Sequence, residues 1–217
     1  MPINIQEMNS SFEIKQIEDF ARKNLGSHDG GHDWWHLERV RNNAFQIMEA
    51  EGSGDPVIIE IAALLHDIGD SKFKKTGSED TGKLLHRFLS GLELDERVMH
   101  EVIYINRNLS FSNGKRPENV SFEFMIVQDA DRLDAMGAIG IARAFNYGGF
   151  VNNPIFDPAG KGHSTISHFY DKLLKLKDLM NTEIGIKLAE ERHRFLEVYL
   201  DQFYHEWEFG NRSEDQL

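Results

Sequence analysis

The chain contains no cysteine. Disulfides, thiolate metal sites and cysteine nucleophiles are therefore excluded, and any bound metal must be held by His, Asp or Glu. Long apolar runs are missing too: nothing approaches the ~20 residues of a membrane span. The N-terminal MPINIQEMNSSFEIKQ has neither the basic region nor the apolar run of a signal peptide. A cytoplasmic protein without a membrane partner is expected. Positive charge is in deficit, 24 basic against 36 acidic side chains for a formal −12, which opposes attraction to duplex nucleic acid or anionic lipid. A small phosphorylated substrate stays compatible, because a metal and a few local cations outweigh the global field inside one cleft. What is present is a globular composition, 40% hydrophobic and 28% charged, with 15 Phe and 3 Trp to fill a bulky interior.

Sustained alternation of the kind strands need is also absent, whereas apolar positions recur at helical spacing almost throughout. The expected fold class is all-α. Phe12, Ile14, Ile17, Phe20 and Ala21 mark a first amphipathic helix, and Asp33 caps a second over residues 34–50. After Gly52 and Gly54, Asp55-Pro56 starts a third, VIIEIAALLH, apolar nearly all round like a helix covered on every side. Two helices follow near residues 80–90 and 95–106. FEFMIVQDADRLDAMGAIGIARAF then reads as one continuous helix, and NYGGFVNNPIFDPAGKGH (146–163) as a loop too rich in Gly, Pro and Asn for any helix. Two long helices, with a break near residues 182–185, close the chain, and the tail GNRSEDQL reads as frayed. One domain over residues 1–217 is expected, with a core of about 12–147 and a C-terminal helical extension of about 163–209.

His66 and Asp67 are adjacent at the end of the most hydrophobic helix, where ionisable groups are costly unless paired or bound to a metal. His36 follows two tryptophans on the preceding helix, and Asp131 lies in QDADRLD on a later one. Two His and two Asp make a mononuclear set suited to Mn, Fe, Co, Ni or Zn better than to Mg alone. On an octahedral ion such a set leaves two positions for water and a substrate phosphate.

In DWWHLERV, LLHDIGD and QDADRLDAMGAIGIAR, in that order, the chain resembles the HD superfamily of metal-dependent phosphohydrolases. GKGHSTISHFYDKLLKLKDLMNT and the terminal helix resemble those of small single-domain bacterial members, so the resemblance covers nearly the whole chain. It implies a helical HD-domain bundle with additional C-terminal helices, one divalent metal ion on His36, His66, Asp67 and Asp131, and hydrolysis of a phosphoester or phosphoanhydride, with nucleotides the usual substrate class. Relatives with two metals carry extra histidines between the His-Asp pair and the last Asp. His86 and His100 stand there, but on helices without a paired acidic ligand, so one ion is expected.

Asp70 matches the position where related enzymes carry a carboxylate that orients or deprotonates the attacking water. Lys72 and Arg132 flank the motif as candidates for offsetting charge on the leaving phosphate, with Lys74 and Lys75 behind them. His32 reads as a loop residue facing the cleft, and Asp134 as either an orienting carboxylate beside a ligand or a plain surface acid. His168 and Lys172, i,i+4 on one face, either reach the cleft or sit on the surface. The stripe Leu173, Leu174, Leu176, Leu179 and Met180 reads as core. The 146–163 loop is either a lid that completes a phosphate site through Lys161 or His163, or a structural loop packed on the C-terminal helices. The alternatives to an enzyme acting on a nucleotide are a non-catalytic nucleotide sensor using the same pocket and, more remotely, a di-iron oxygenase of the same superfamily. A homodimer stays open.

Overall fold

The computed structural model describes residues 5–25, 33–69, 80–109, 117–160 and 162–209. His32, Asp70, Lys72, Lys74, Lys75, Lys161 and the tail from residue 210 lie outside the described residues. The architecture is all-α: α1 (Ile5–Asn24), α2 (Trp34–Glu51), α3 (Pro56–Leu65), α4 (Thr81–Leu89), α5 (Glu96–Asn108), α6 (Phe122–Asp134), α7 (Gly137–Phe150), α8 (Thr165–Asp171) and α9 (Glu183–Phe209), with a 3-10 segment (Leu173–Leu179) before the last. No strand occurs among the described residues.

Local chemistry sets most of the starts. The carboxylates of Asp33, Asp55, Asp80 and Asp95, and the Ser121 hydroxyl, accept hydrogen bonds from backbone amides in the first turns of α2 to α6. Each cap satisfies donors that have no partner inside the helix. Pro56 adds a preset φ in the first turn of α3. Gly52 ends α2 in the left-handed conformation, its amide bonding back to the Met48 carbonyl.

The central element is α3, packed against α1, α2, α5 and α6. Ile58, Ile59, Ile61, Leu64 and Leu65 are all buried on it, and each stabilises by about 1.5–3 kcal/mol. The end of α3 is therefore held firmly, and with it the His66–Asp67 turn. α2 lies against α3 and α6, so the three elements that bear His36, His66–Asp67 and Asp131 are mutual neighbours.

Four local expectations are corrected. The segment 122–145 is two helices, because α6 stops at Asp134 and α7 starts at Gly137, whose φ of +66 disfavours any side chain. Tyr147 to Phe150 are helical, since α7 runs to Phe150 and the bare face of Gly148 admits the Thr165 side chain. Close packing against α8 offsets a glycine penalty of about 1 kcal/mol. The penultimate long helix is instead the seven-residue α8 plus the 3-10 segment. In the leucine stripe, Leu173 and Leu176 are buried but Leu179 is exposed. The break before α9 falls at residues 180–182, slightly earlier than the 182–185 expected, and residues 183–185 already belong to α9.

The loop after α7 is packed rather than free. Pro154 and Ile155 carbonyls accept from the Thr165 and Ile166 amides, and the Phe156 ring stands edge-on to Phe203, Tyr204 and Trp207 at 5.8, 5.6 and 5.0 Å. These contacts favour the structural loop over the lid.

Candidate metal centre

His36 occupies the first turn of α2, where the Asp33 carboxylate caps its amide at 2.9 Å. Its ring is fully buried. His66 follows the last residue of α3, and its Nδ1 lies 2.8 Å from the Ala63 carbonyl. A carbonyl only accepts, so His66 Nδ1 is the donor and Nε2 carries the lone pair when the ring is neutral. His36 Nδ1 lies 2.7 Å from Asp134 Oδ2, which orients the second ring in the same way.

Both Nε2 atoms consequently point into one space, 3.3 Å from each other. Asp67 brings Oδ2 to 3.3 Å from His36 Nε2 and Oδ1 to 3.4 Å from His66 Nε2. Asp131 Oδ1 stands 3.5 and 3.7 Å from the same two nitrogens, its side chain 39% exposed, so the centre opens to solvent on that side. Donors about 2.0–2.2 Å from a shared ion stand about 3–3.5 Å apart. The observed spacing fits one divalent cation, and the donor set of two imidazoles with carboxylates suits a borderline metal. Among the described residues, His36, His66 and Asp67 are the group whose donor atoms all fall within 4.8 Å of one another; Asp131 adds its oxygen from the open side.

The electrostatics point the same way. Burial alone would lower the pKa of His36, but the hydrogen bonds of Asp134 and Asp67 and the Asp67 charge reverse this and push it up to about 9. A field that draws a proton so strongly to this imidazole also draws a metal cation, and the two compete for Nε2. Burial pushes the carboxyl of Asp134 up, yet hydrogen bonds from His36 and Arg39 and the charges of His36 and Arg143 hold it well below the usual carboxylate range.

Asp134 is thus the anchor of the cluster. Besides His36 it accepts from Arg39 Nε at 2.6 Å, Arg39 Nη2 at 3.0 Å and Arg143 Nη1 at 2.8 Å. Of the two roles open to it in the sequence, the structure places it beside the imidazole, in the carboxylate–histidine arrangement that orients metal ligands. Asp134→Ala should destabilise the fold by about 3–5 kcal/mol, because it strands two buried or half-buried guanidinium groups, and should weaken metal affinity about 10–100-fold. Asp134→Asn should recover much of the stability but not the affinity. Urea unfolding and metal titration separate the two effects; parental metal affinity in both variants would make Asp134 a structural residue only.

A residue that sequence reasoning missed holds the motif from behind. Asn106 on α5 places Nδ2 2.7, 3.1 and 3.2 Å from the carbonyls of Leu65, His66 and Ile68. These are carbonyls that the end of α3 leaves without helical partners. Its i+4 spacing from the buried Val102 was the available signal.

Arg132, expected near the leaving phosphate, is turned elsewhere. It is buried, donates from Nη1 to the Leu179 carbonyl, and lies 3.6 Å from Asp129 Oδ1. Asp129 in turn accepts from the amides of Asn181 and Thr182 and from the Thr182 hydroxyl, tying α6 to the start of α9. Helix geometry explains the divergence: Asp131 and Asp134 share one face of α6, while Asp129 and Arg132 share another. His163 and His168 line a separate recess of ≈130 Å³ with Ser167 and Asp171. His86 and His100 lie outside the metal centre, in a groove between α4 and α5.

Comparison with known proteins agrees with this geometry. The HD domain family model matches residues 34–136, the span from the first turn of α2 to the end of α6. YpgQ of Bacillus subtilis, an uncharacterized protein, is 40% identical over 195 residues, 88% of this chain and 91% of its own length. The crystal structure of that protein in complex with ADP superposes with a TM-score of 0.77 at 35% identity, covering 91% of this chain and 96% of the other. An HD-superfamily hydrolase from Bacillus thuringiensis superposes with a TM-score of 0.73 at 40% identity, over 91% and 98% of the two chains. The chain belongs to the HD superfamily and is a metal-dependent phosphohydrolase. Among the described residues, no helix is long and apolar enough to cross a membrane.

Proposed function

We propose that this protein hydrolyses a phosphoester or phosphoanhydride bond of a nucleotide, with one divalent ion held by His36, His66, Asp67 and Asp131. The observation that carries the metal assignment is the pair of facing Nε2 atoms, 3.3 Å apart between two carboxylates. Two lone pairs so placed repel unless a proton or a metal cation lies between them, and the two carboxylates beside them supply the further donors a metal takes. The observation that favours a nucleotide is the ADP bound by YpgQ, whose fold this chain shares over 91% of its length.

A bound divalent ion supplies an activated water and neutralises phosphate oxygen. The chain's own residues do the rest. Asp134 and the Ala63 carbonyl keep both imidazoles in the tautomer that presents Nε2. Asn106 fixes the His66 turn, so neither ring spends free energy on reorientation as the reaction proceeds. Asp131, on the open side, marks the face from which the phosphate enters. Asp70 takes the proton from the attacking water or aligns it, and Lys72 neutralises the leaving phosphate; both assignments rest on their positions after the motif. With Arg132 engaged by Leu179 and Asp129, Lys72 carries the anion-binding role here without it.

The test is a screen of nucleoside mono-, di- and triphosphates with separate detection of phosphate and pyrophosphate, run with manganese and then with excess chelator. Turnover of a nucleotide that stops with chelator is the expected result. Binding without turnover by any nucleotide would instead support the sensor.

A further inference from the structure

A groove of ≈580 Å³ lies between α4 and α5, lined by Lys83, His86, Arg87, His100, Arg107 and Tyr104 among others and, among the described residues, by no carboxylate. It shares no lining residue with the metal centre. In a chain of formal charge −12, five basic side chains around one concavity run against the global field. Two described carboxylates engage them from the margin: Asp80 Oδ1 is 3.0 Å from Arg107 Nη2, and Glu96 Oε1 is 3.9 Å from His100 Nε2. Gly82 shapes the floor, since a side chain there would occupy the space of the Arg107 guanidinium. Tyr104, at the helix midpoint, packs its ring tilted against Phe124 at 6.1 Å and keeps 36% of its surface exposed.

We propose that this groove is a second anion site, separate from the metal centre, for a small ligand that carries a diphosphate group. The volume falls within the roughly 300–1,000 Å³ of small-molecule sites. Lys83 and Arg107 come from the facing helices and grip phosphate oxygens from both sides, the arginine through its planar fork. His86 and His100 add ring nitrogens along the same walls. Tyr104 offers an aromatic surface to a planar ring, as in stacking of a base. Arg107 immediately follows Asn106, so the groove and the His66 turn are served by consecutive residues of α5. The inference does not depend on the hydrolytic reading.

Calorimetric titration of the chelator-treated full-length protein with inorganic pyrophosphate tests it, because removing the divalent ion silences phosphate binding at the metal centre. One site per chain is expected, weakening as salt is raised. Lys83→Glu should reduce affinity at least tenfold, and His86→Glu should do likewise; both side chains face solvent, so parental melting temperatures are expected. Asp67→Ala should leave the affinity unchanged. Absence of binding, parental affinity in both charge-reversed variants, or loss of binding in Asp67→Ala would each overturn the proposal. Cytidine diphosphate identifies the source of the diphosphate. Tighter binding than pyrophosphate, with the difference removed by Tyr104→Ala, supports the site and marks a nucleotide; equal binding supports it and marks the phosphate group alone.

Discussion

His66→Ala and Asp67→Ala should each leave a folded protein that no longer retains a divalent ion and no longer turns over substrate. The four proposed donors lie on two helices, α2 and α6, and on the turn after α3, and under the proposal each carries a share of one coordination sphere. Loss of a ligand opens the sphere and also leaves the remaining groups mismatched. In Asp67→Ala the two Nε2 atoms keep facing each other with one of their two carboxylate neighbours gone. In His66→Ala the Ala63 carbonyl loses its imidazole donor as well. Elemental analysis after dialysis should fall from about one ion per chain to near zero in both, since metal affinity requires the full set of deprotonated donors. Equal metal content in variant and parent would remove these residues from the ligand set.

Asp70→Asn should behave in the opposite manner on one of the two readouts. The residue lies three positions beyond Asp67 and outside the four donors, so metal content should stay at the parental level. Turnover should fall by about 10²–10⁴-fold, the usual contribution of a group that accepts or aligns a proton in the transition state. Asparagine keeps the size and a hydrogen-bonding oxygen but cannot take the proton. The loss should appear in kcat, with KM nearly unchanged, if Asp70 acts on the attacking water and not on the substrate. A rate within a fewfold of the parent would make Asp70 an ordinary loop residue.

The parts of this account that were legible in the sequence are those set by local chemistry. Asp33 and Asp55-Pro56 announced two helix starts and both carboxylates are caps in the structure, as are Asp80 and Asp95 at the near ends of the two helices expected around residues 80–90 and 95–106. The all-round apolar character of VIIEIAALL announced the central helix, because only full coverage tolerates it. His36, His66, Asp67 and Asp131 were singled out through their order and flanking residues, and the structure brings a carboxylate oxygen of each Asp to 3.3–3.7 Å from the two Nε2 atoms.

What was not legible depends on contacts distant in sequence or on backbone angles. Periodic apolar residues run straight through Ala135 and Met136, so the break at Gly137 shows only in its φ. The helical end of α7 was hidden by its glycines, whose cost is offset by α8 packing beside them. Arg132 beside Asp131 looked like a cleft residue, but neighbours on a helix diverge by about 100°, and it engages the Leu179 carbonyl and Asp129. Asn106 supports a turn about 40 residues earlier in the chain; its i+4 spacing from Val102 signals an inward face but not which carbonyls it meets there. Asp134 was ambiguous because its role depends on Arg39 and Arg143 converging from two other helices.

The most direct test of the central claim is to strip the full-length protein with chelator and titrate manganese back while recording bound metal and nucleotide hydrolysis on the same samples. The account predicts that both rise together and saturate at one ion per chain. Hydrolysis that persists in the stripped protein, or full occupancy by one ion with no hydrolysis of any nucleotide, would contradict it.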